Sequence, residues 1–226
     1  MTPDPLTILV TGFEPFAAST LNPSQVVVES LADGGAFDAG GSRLHTALLP
    51  VDTARVVGEV DRLWRDHSPD VVLHFGESAK ADRVTLERVA VNLLDFDRPD
   101  NAGQHLADTP IDPTGPAARF ATLPVRALSQ RLEQAGHASH LSLSAGAYLC
   151  NQVLYLSLAH GERLGGRSVG FVHVPSLPEQ AERGERTGPT MPRVQLIEAA
   201  LGLVRFSAEA HRATRGSARD EQGDRN

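Results

Sequence analysis

Short apolar segments that favour β-strands alternate with longer segments of helical periodicity along most of this chain. Residues 6–11 form a near-continuous apolar run, and residues 70–75 form a second one, a pattern typical of strands buried on both faces of a parallel sheet. The segments between such runs place apolar residues at helical spacing, as in Val56, Val60, Leu63 and Trp64. The alternation therefore predicts an α/β fold with three layers, in which helices cover both faces of a mainly parallel, twisted sheet.

The same patterns divide the rest of the chain. Further strands are predicted at residues 43–49, 84–94, 140–143 and 169–174. Helices are predicted after the cap Asn22 with Pro23, after Asp52 or Thr53, and at residues 124–135, 148–160 and 192–210. Residues 95–116 are rich in Pro, Asp and Gly and predict an irregular excursion.

The chain shows no repeat and no linker that would divide it. We expect one α/β domain over residues 1–210 and a polar, frayed tail over residues 211–226. In parallel sheets ligands bind beyond the carboxyl ends of the strands. The loops expected at that edge follow Thr11, Phe75, Leu143 and Val174.

Charge and cysteine content exclude several classes of protein. The formal charge of −7 gives no support for nucleic-acid binding, and the absence of an apolar run of about 18 residues argues against a membrane span. The first residues lack the basic region of a secretory signal, which favours the cytoplasm. A single cysteine forms neither an internal disulfide nor a cysteine-based zinc site, and we expect no metal and no cofactor.

That single cysteine, Cys150, lies where a strand is expected to turn into a helix. The strand ends near Ser144, residues 145–147 make a tight turn, and the helix continues through Val153. The sulfur therefore lies in the first helical turn, where unpaired N–H groups and the helix dipole stabilise a thiolate nucleophile. The alternative is that Cys150 is a small buried hydrophobic residue.

A thiol nucleophile needs a base and a group that orients the base. His173 lies near the end of a predicted strand, at the edge where ligands bind; its alternative is a core histidine. His74 competes by the same logic, while His160 is expected on a helix flank. Glu87 enters an otherwise apolar strand, either as the orienting carboxylate or as the partner of Arg88 in a surface ion pair. Periodicity does not choose among these candidates.

Four blocks of the sequence, in order, resemble those of the pyroglutamyl peptidase I (pyrrolidone-carboxylate peptidase) family. They are VTGFEPF at residues 10–16 with the later Asn-Pro pair, ERVAVN at 87–92, SAGAYLCN at 144–151 and GFVHVPSLPEQ at 170–180. A weaker match is PDN at 99–101, and the likeness extends over about residues 6–205. The resemblance implies a cysteine peptidase with a Cys150–His173–Glu87 triad, a thioacyl-enzyme, and peptides with N-terminal pyroglutamate as substrates.

The resemblance also implies a pocket for the pyroglutamyl ring. In the family, two loop phenylalanines and the Asn of the Asn-Pro pair fill this role, and they correspond to Phe13, Phe16 and Asn22. Backbone groups near Gly76 and Glu77 are expected to supply the remaining partners. The alternatives are plain loop packing for the phenylalanines and a helix N-cap for Asn22, and one side chain cannot fully do both jobs. A homo-oligomer, tetramer or dimer, is implied by the family alone.

The chain departs from the family near the oxyanion region. The family has a Gly-Gly-Arg stretch where this chain has Ala79, Lys80 and Ala81, and the arginine expected before the PDN block is displaced by one position to Arg98. One position reverses the side-chain direction in an extended segment. Three other functions stay open: a thiol amidase for a different N-acyl or lactam group, a catalytically silent protein that binds pyroglutamyl termini, and a redox-sensing thiol protein.

Overall fold

The computed structural model describes residues 5–33 and 41–223, with side chains up to residue 216. The strands are β1 (Thr7–Phe13), β2 (Arg43–Leu49), β3 (Val71–Glu77), β4 (Val84–Glu87), β5 (Val89–Val91), β6 (Ala118–Phe120), β7 (Ser139–Ser142) and β8 (Ser168–Val174). The helices are α1 (Pro23–Asp33), α2 (Thr53–His67), α3 (Val125–Gln134), α4 (Leu149–Leu164), α5 (Pro178–Glu182) and α6 (Arg193–Gly223). These elements confirm the predicted α/β class.

Six strands form one sheet in the order β2-β1-β3-β8-β4-β7. Strands β2, β1, β3 and β8 are parallel to one another, as predicted. Strand β4 is antiparallel to β8 and parallel to β7, so β4 and β7 run antiparallel to the other four strands. The expectation that the loop after Leu143 leaves the sheet at the same edge as the loops after Phe75 and Val174 is therefore wrong, and residues 143–148 return the chain to that edge.

The extended segment predicted at residues 84–94 is split between two sheets. Strand β4 belongs to the main sheet, whereas β5 pairs antiparallel with β6 in a separate two-stranded sheet. The split occurs at Arg88, whose N–H donates to the carbonyl of Ser142 while its own carbonyl accepts from the N–H of Ala121. Because its two backbone groups bond to different partners, Arg88 marks the point where the strand changes sheets. The irregular excursion predicted at residues 95–116 follows β5, and it contains no helix and no regular strand.

The main sheet is covered on both faces by helices whose apolar residues form two clusters. Helices α1, α3 and α6 pack on the face of Ile8, Val10 and Leu73. Helices α2 and α4 pack on the face of Leu9 and Val72. Asp52 is the one of the two predicted caps that caps α2, since its carboxylate accepts from two backbone N–H groups at the start of that helix. Within the part of the chain that the structure describes, no helix is long and apolar enough to cross a membrane.

Helix α6 continues past the boundary that we predicted at residue 210. His211 is buried and bonds through Nδ1 to the hydroxyl of Ser168, and the guanidinium of Arg215 contacts the carboxylate of Asp70. The residues that follow include Ala and Arg, which are good helix formers. The frayed tail predicted from residue 211 is therefore wrong for the start of this segment, and residues 224–226 lie outside the described residues.

Candidate active site

Cys150 is the second residue of α4, and a tight turn that includes Gly146 at φ 81° precedes the helix. This is the strand–turn–helix arrangement predicted for it. Its Sγ lies against Gly76, the penultimate residue of β3: a Cβ on Gly76 would stand 3.0 Å from the sulfur and 2.7 Å from the ring of Phe171. Gly76 therefore lets the backbone at the end of β3 approach the thiol, and a larger residue there would displace one or the other.

His173 and Glu87 meet across the antiparallel pair β4–β8. Nδ1 of His173 and Oε1 of Glu87 are 2.8 Å apart, and their side chains are 12% and 2% exposed. The imidazole is also hydrogen-bonded to Cys150. Because Nδ1 faces Glu87, Nε2 is the ring nitrogen that remains for the thiol. The second carboxylate oxygen, Oε2, is buried and has no partner among the described atoms. The structure thus brings the three predicted residues into one hydrogen-bonded chain.

The protonation of His173 follows from these neighbours. Burial lowers the pKa of the imidazole, but the charge and hydrogen bond of Cys150, followed by those of Glu87, outweigh burial and raise the pKa to about 10. At neutral pH the ring is therefore an imidazolium that stands between a thiol sulfur and a carboxylate. An imidazolium in this position can donate a proton to a leaving group.

The two rival histidines have other surroundings. His74 is 1% exposed, its Nδ1 lies 2.7 Å from the hydroxyl of Thr11 and its Nε2 lies 2.8 Å from the hydroxyl of Ser157. Burial lowers the pKa of His74 to about 3, so it is a neutral histidine of the core. His160 lies on the flank of α4, as predicted, where it bonds to Asp61.

A small, mostly apolar cavity of about 60 Å³ opens beside the sulfur. Its lining comprises Phe13, Phe16, Asn22, Val51, Glu77, Tyr148, Leu149 and Cys150. A larger cleft of about 770 Å³ adjoins it and shares Phe16, Glu77, Tyr148 and Cys150 with the small cavity. All the residues predicted for the lactam pocket except Gly76 line the small cavity, and Gly76 touches Cys150 next to it. The thiol is thus located where the two cavities meet.

The amide oxygen of Asn22 caps α1, and the amide nitrogen carries the hydrogens that the predicted lactam contact requires. Oδ1 accepts from the backbone N–H of Ser24 at 3.0 Å and from the hydroxyl of the same residue at 2.8 Å, which is the N-cap of α1. Nδ2 donates one hydrogen to the carbonyl of Glu14 at 3.1 Å. An amide nitrogen carries two hydrogens, so a second N–H of Asn22 remains for a ligand in the cavity.

Sequence reasoning missed several residues of the site. Tyr148 forms a wall of both cavities, donates its hydroxyl to the carbonyl of Pro99 and packs edge-on against Phe96. Asn151 fastens the first turn of α4 to strand β5, because its amide bonds to the N–H and C=O of Val91 and to the C=O of Leu93. Tyr148 and Asn151 both belong to the third block, SAGAYLCN, but neither was assigned a role from it.

The side chain of Glu77 was missed as well, because only backbone groups were expected from this turn. Its carboxylate is paired with Arg186, which comes from the segment after α5. The two departures from the family pattern line the larger cleft: Lys80 lies at its border, and Arg98 is paired with Asp97. Among the described residues no cluster of three or more His, Cys, Asp or Glu side chains could hold a metal ion.

Comparison with known proteins identifies the family. A family model described as "Pyroglutamyl peptidase" matches residues 6–211. The pyrrolidone-carboxylate peptidase of Deinococcus radiodurans is 42% identical over 207 residues, which cover 90% of this chain and 93% of that protein. The Pyrococcus furiosus protein of the same name is 38% identical over 174 residues, covering 76% of this chain and 82% of that one.

Solved structures agree with the sequence comparison. The pyrrolidone carboxyl peptidase of Pyrococcus furiosus superposes with a TM-score of 0.85 at 34% identity and covers 91% of this chain and 100% of its own. The enzyme from Thermococcus litoralis superposes with a TM-score of 0.83 at 32% identity, covering 90% of this chain and 94% of its own. Matched over nearly its whole length in sequence and in fold, this chain belongs to the pyroglutamyl peptidase family of cysteine peptidases.

Proposed function

We propose that this enzyme hydrolyses the amide bond after an N-terminal pyroglutamyl residue by way of a thioacyl-enzyme, with Cys150 as nucleophile. His173 is the acid–base group, and Glu87 orients the imidazole and stabilises its charged form. The observation that carries the proposal is the hydrogen-bonded chain from Glu87 through His173 to Cys150, which opens onto an apolar cavity.

The cavity suits a pyroglutamyl ring by its chemistry. The ring is a flat, uncharged lactam with one N–H and one C=O, so its site should offer apolar faces, one donor and one acceptor. Phe13 and Phe16 supply apolar walls. The second N–H of Asn22 would donate to the lactam oxygen, and a carbonyl of the turn at Gly76 and Glu77 would accept the lactam N–H.

The reaction then follows from the positions of the groups. The Cys150 thiolate attacks the carbonyl carbon that joins the pyroglutamyl ring to the next residue. Backbone N–H groups in the first turn of α4 lack partners within the helix and are the expected oxyanion donors. The His173 imidazolium gives its proton to the leaving amine as the C–N bond breaks. The neutral imidazole next takes a proton from water, which attacks the thioester and releases pyroglutamate.

Release of a chromogenic amine from its pyroglutamyl amide tests the proposal, in parallel with the prolyl and glutamyl amides. We expect turnover of the pyroglutamyl amide only. Cys150→Ser and His173→Ala should remove activity while the circular-dichroism spectrum stays that of the wild type. A short reaction quenched in acid should carry one pyroglutamyl group on Cys150, detected by mass spectrometry. Full activity of Cys150→Ser would refute the triad, and equal turnover of the three amides would refute the specificity.

Two further proposals come from the family likeness. A homo-oligomer, dimer or tetramer, would cover some of the apolar side chains that are largely exposed in the described part of the chain, such as Phe120, Leu143 and Val194. Light scattering after gel filtration tests it, and a monomer at micromolar concentration would contradict it. We also propose that the enzyme works in the cytoplasm, which cell fractionation with an antibody would check.

A further inference from the structure

A carboxylate borders the cavity that we assign to an uncharged ring. Glu77, the last residue of β3, lines both the small cavity and the larger cleft, and its side chain is 2% exposed. A buried carboxylate without a partner is strongly unfavourable and would attract a cation into the cavity. Some group must therefore neutralise Glu77 if the cavity is to hold a neutral lactam.

Arg186 is that group. Its Nε lies 2.8 Å from Oε1 of Glu77 and its Nη2 lies 3.0 Å from Oε2, a two-pronged contact of the kind that guanidinium and carboxylate form best. The Arg186 side chain is only 10% exposed. Ser176 and Gln180 also donate to Oε1, so both carboxylate oxygens are occupied.

The same guanidinium reaches the wall of the cavity. The guanidinium carbon of Arg186 lies 5.3 Å from the ring centre of Phe16, within the range of a cation–π contact. Arg186 therefore joins the aromatic loop to the end of β3 on one side of the cavity. The positive charge of Arg186 is balanced by the carboxylate of Glu77, so the two side chains together add almost no net charge to this side of the cavity.

Discrimination between two similar rings depends on that neutrality. An N-terminal proline has a five-membered ring like that of pyroglutamate, but its ring nitrogen is a protonated amine at neutral pH and it lacks the ring carbonyl. A free carboxylate at Glu77 would stabilise the prolyl cation by direct charge attraction. The paired carboxylate offers no such attraction, so the cation loses its hydration without compensation.

We propose that Arg186 is a positioning residue that sets specificity: it binds and neutralises Glu77, and thereby makes the cavity prefer a neutral lactam to a cationic ring of the same size. The proposal rests on the proposed function. Arg186 acts through Glu77 and takes no part in bond making or breaking.

The test compares two small competitors of the same ring size, neutral 2-pyrrolidone and cationic pyrrolidine, as inhibitors of pyroglutamyl-amide hydrolysis at pH 7. The ratio of their inhibition constants measures the preference for the neutral ring. In Arg186→Met we expect this preference to fall at least ~10-fold, with KM raised more than kcat is lowered. The double variant Glu77→Gln with Arg186→Met lacks both charges, and its ratio should return to within ~3-fold of the wild type.

The double variant separates charge from structure. If Arg186 only anchored its own segment, the single and double variants would lose that anchor equally and show the same ratio, which would overturn the proposal. Arg186→Lys keeps the charge and should keep most of the preference. An unchanged ratio in folded Arg186→Met would also overturn it.

A second variant covers the case in which Arg186→Met does not fold. Glu77→Gln alone leaves the Arg186 cation uncompensated at the same border, so the preference for the neutral ring should rise; a fall or no change would refute the proposal. Wild-type enzyme that hydrolyses no pyroglutamyl amide would refute the proposed function and this assignment together. Active wild type with unmoved ratios would refute the role of Arg186 alone.

Discussion

Glu87→Gln removes one negative charge from the buried pair with His173 and keeps the shape of the side chain. In the wild type, Oε1 of Glu87 accepts from Nδ1 of His173 over 2.8 Å. The amide oxygen of Gln can still accept that hydrogen bond, but it does not stabilise the imidazolium by charge. The substitution therefore tests the charge of Glu87, the proposed orienting residue, separately from its hydrogen bond to His173.

The size of the effect follows from the surroundings of His173. Burial lowers its pKa, and Cys150 first and Glu87 second outweigh burial and raise the pKa to about 10. Because Glu87 is the smaller of these two contributions, we expect its neutralisation to lower the pKa by roughly 1–2 units. In the proposed mechanism the protonated ring is the acid that serves the leaving amine, so we expect activity to be lost as pH rises through this pKa. The alkaline limb of kcat/KM should therefore move from near pH 10 toward lower pH. A charge contribution of this size to the thiolate–imidazolium pair corresponds to a fall of ~10–10² in kcat at pH 7.

The assay is the pH profile of kcat and kcat/KM on a chromogenic pyroglutamyl amide, with wild type and variant side by side. Glu162→Gln is the matched control, since it removes a carboxylate paired with Arg119 far along α4 from Cys150. The control should keep the wild-type profile. An unmoved alkaline limb in Glu87→Gln, or a kcat within ~3-fold of the wild type, would refute the role of Glu87.

Three other changes test the remaining parts of the site. Asn22→Asp keeps an N-cap acceptor but loses both amide hydrogens, so kcat/KM for the pyroglutamyl amide should fall by ~10² or more while thermal denaturation shows a loss of only about 1–2 kcal/mol. Gly76→Ala should lower kcat/KM at least ~10-fold and unfold at lower temperature, because its Cβ would meet Phe171 and Cys150. Burial lowers the pKa of His74 to about 3, so this ring is protonated at a higher pH in the unfolded chain than in the folded one. The free energy of unfolding should therefore fall by up to roughly 5 kcal/mol as pH falls from 6.5 toward 3. In His74→Gln, the free energy of unfolding measured with urea should depend less steeply on pH over this range. An equally steep dependence would contradict the assignment of His74 as a neutral core histidine.

The elements of the fold were largely predictable because apolar periodicity reports burial directly. The strand predicted at residues 43–49 agrees with β2, and the predicted cap Asp52 starts α2. Strand direction was not predicted, because periodicity distinguishes the faces of a strand and carries no information on which way it runs. One clue was present: β3 and β4 are joined by residues 78–83 alone, whereas a parallel crossover needs a dozen residues or more.

The candidate site was predictable in part. The strand–turn–helix pattern located Cys150, but His74 and His173 looked alike, since each is the last residue but one of a predicted strand. The two histidines differ in which part of α4 they face. His74 contacts Ser157, about two helical turns beyond Cys150, whereas His173 lies level with Gly76 and reaches the first turn. The family motifs, and not local periodicity, separated the two.

Other contacts had no local signal at all. Glu77 and Arg186 are 109 positions apart, and nothing in either neighbourhood indicates the other. The same holds for Tyr148 and Phe96, which meet because the irregular excursion folds back over the start of α4. Such contacts depend on the path of a loop, and that path is set by many weak backbone hydrogen bonds that no short motif encodes.

The register between β4 and β8 places Glu87 beside His173, the two residues that we propose as the acid–base pair. In the antiparallel pair, Thr85 lies opposite His173 and Glu87 lies opposite Phe171, so Glu87 and His173 are diagonal neighbours whose side chains share one face of the sheet. That face is the one covered by α4, where Phe171 packs beside Cys150. Side chains alternate between faces, so a slip of β4 by one residue would turn Glu87 toward the face of α1, α3 and α6. The carboxylate could not then reach Nδ1 of His173, and the register of a four-residue strand therefore holds this proposed pair in place.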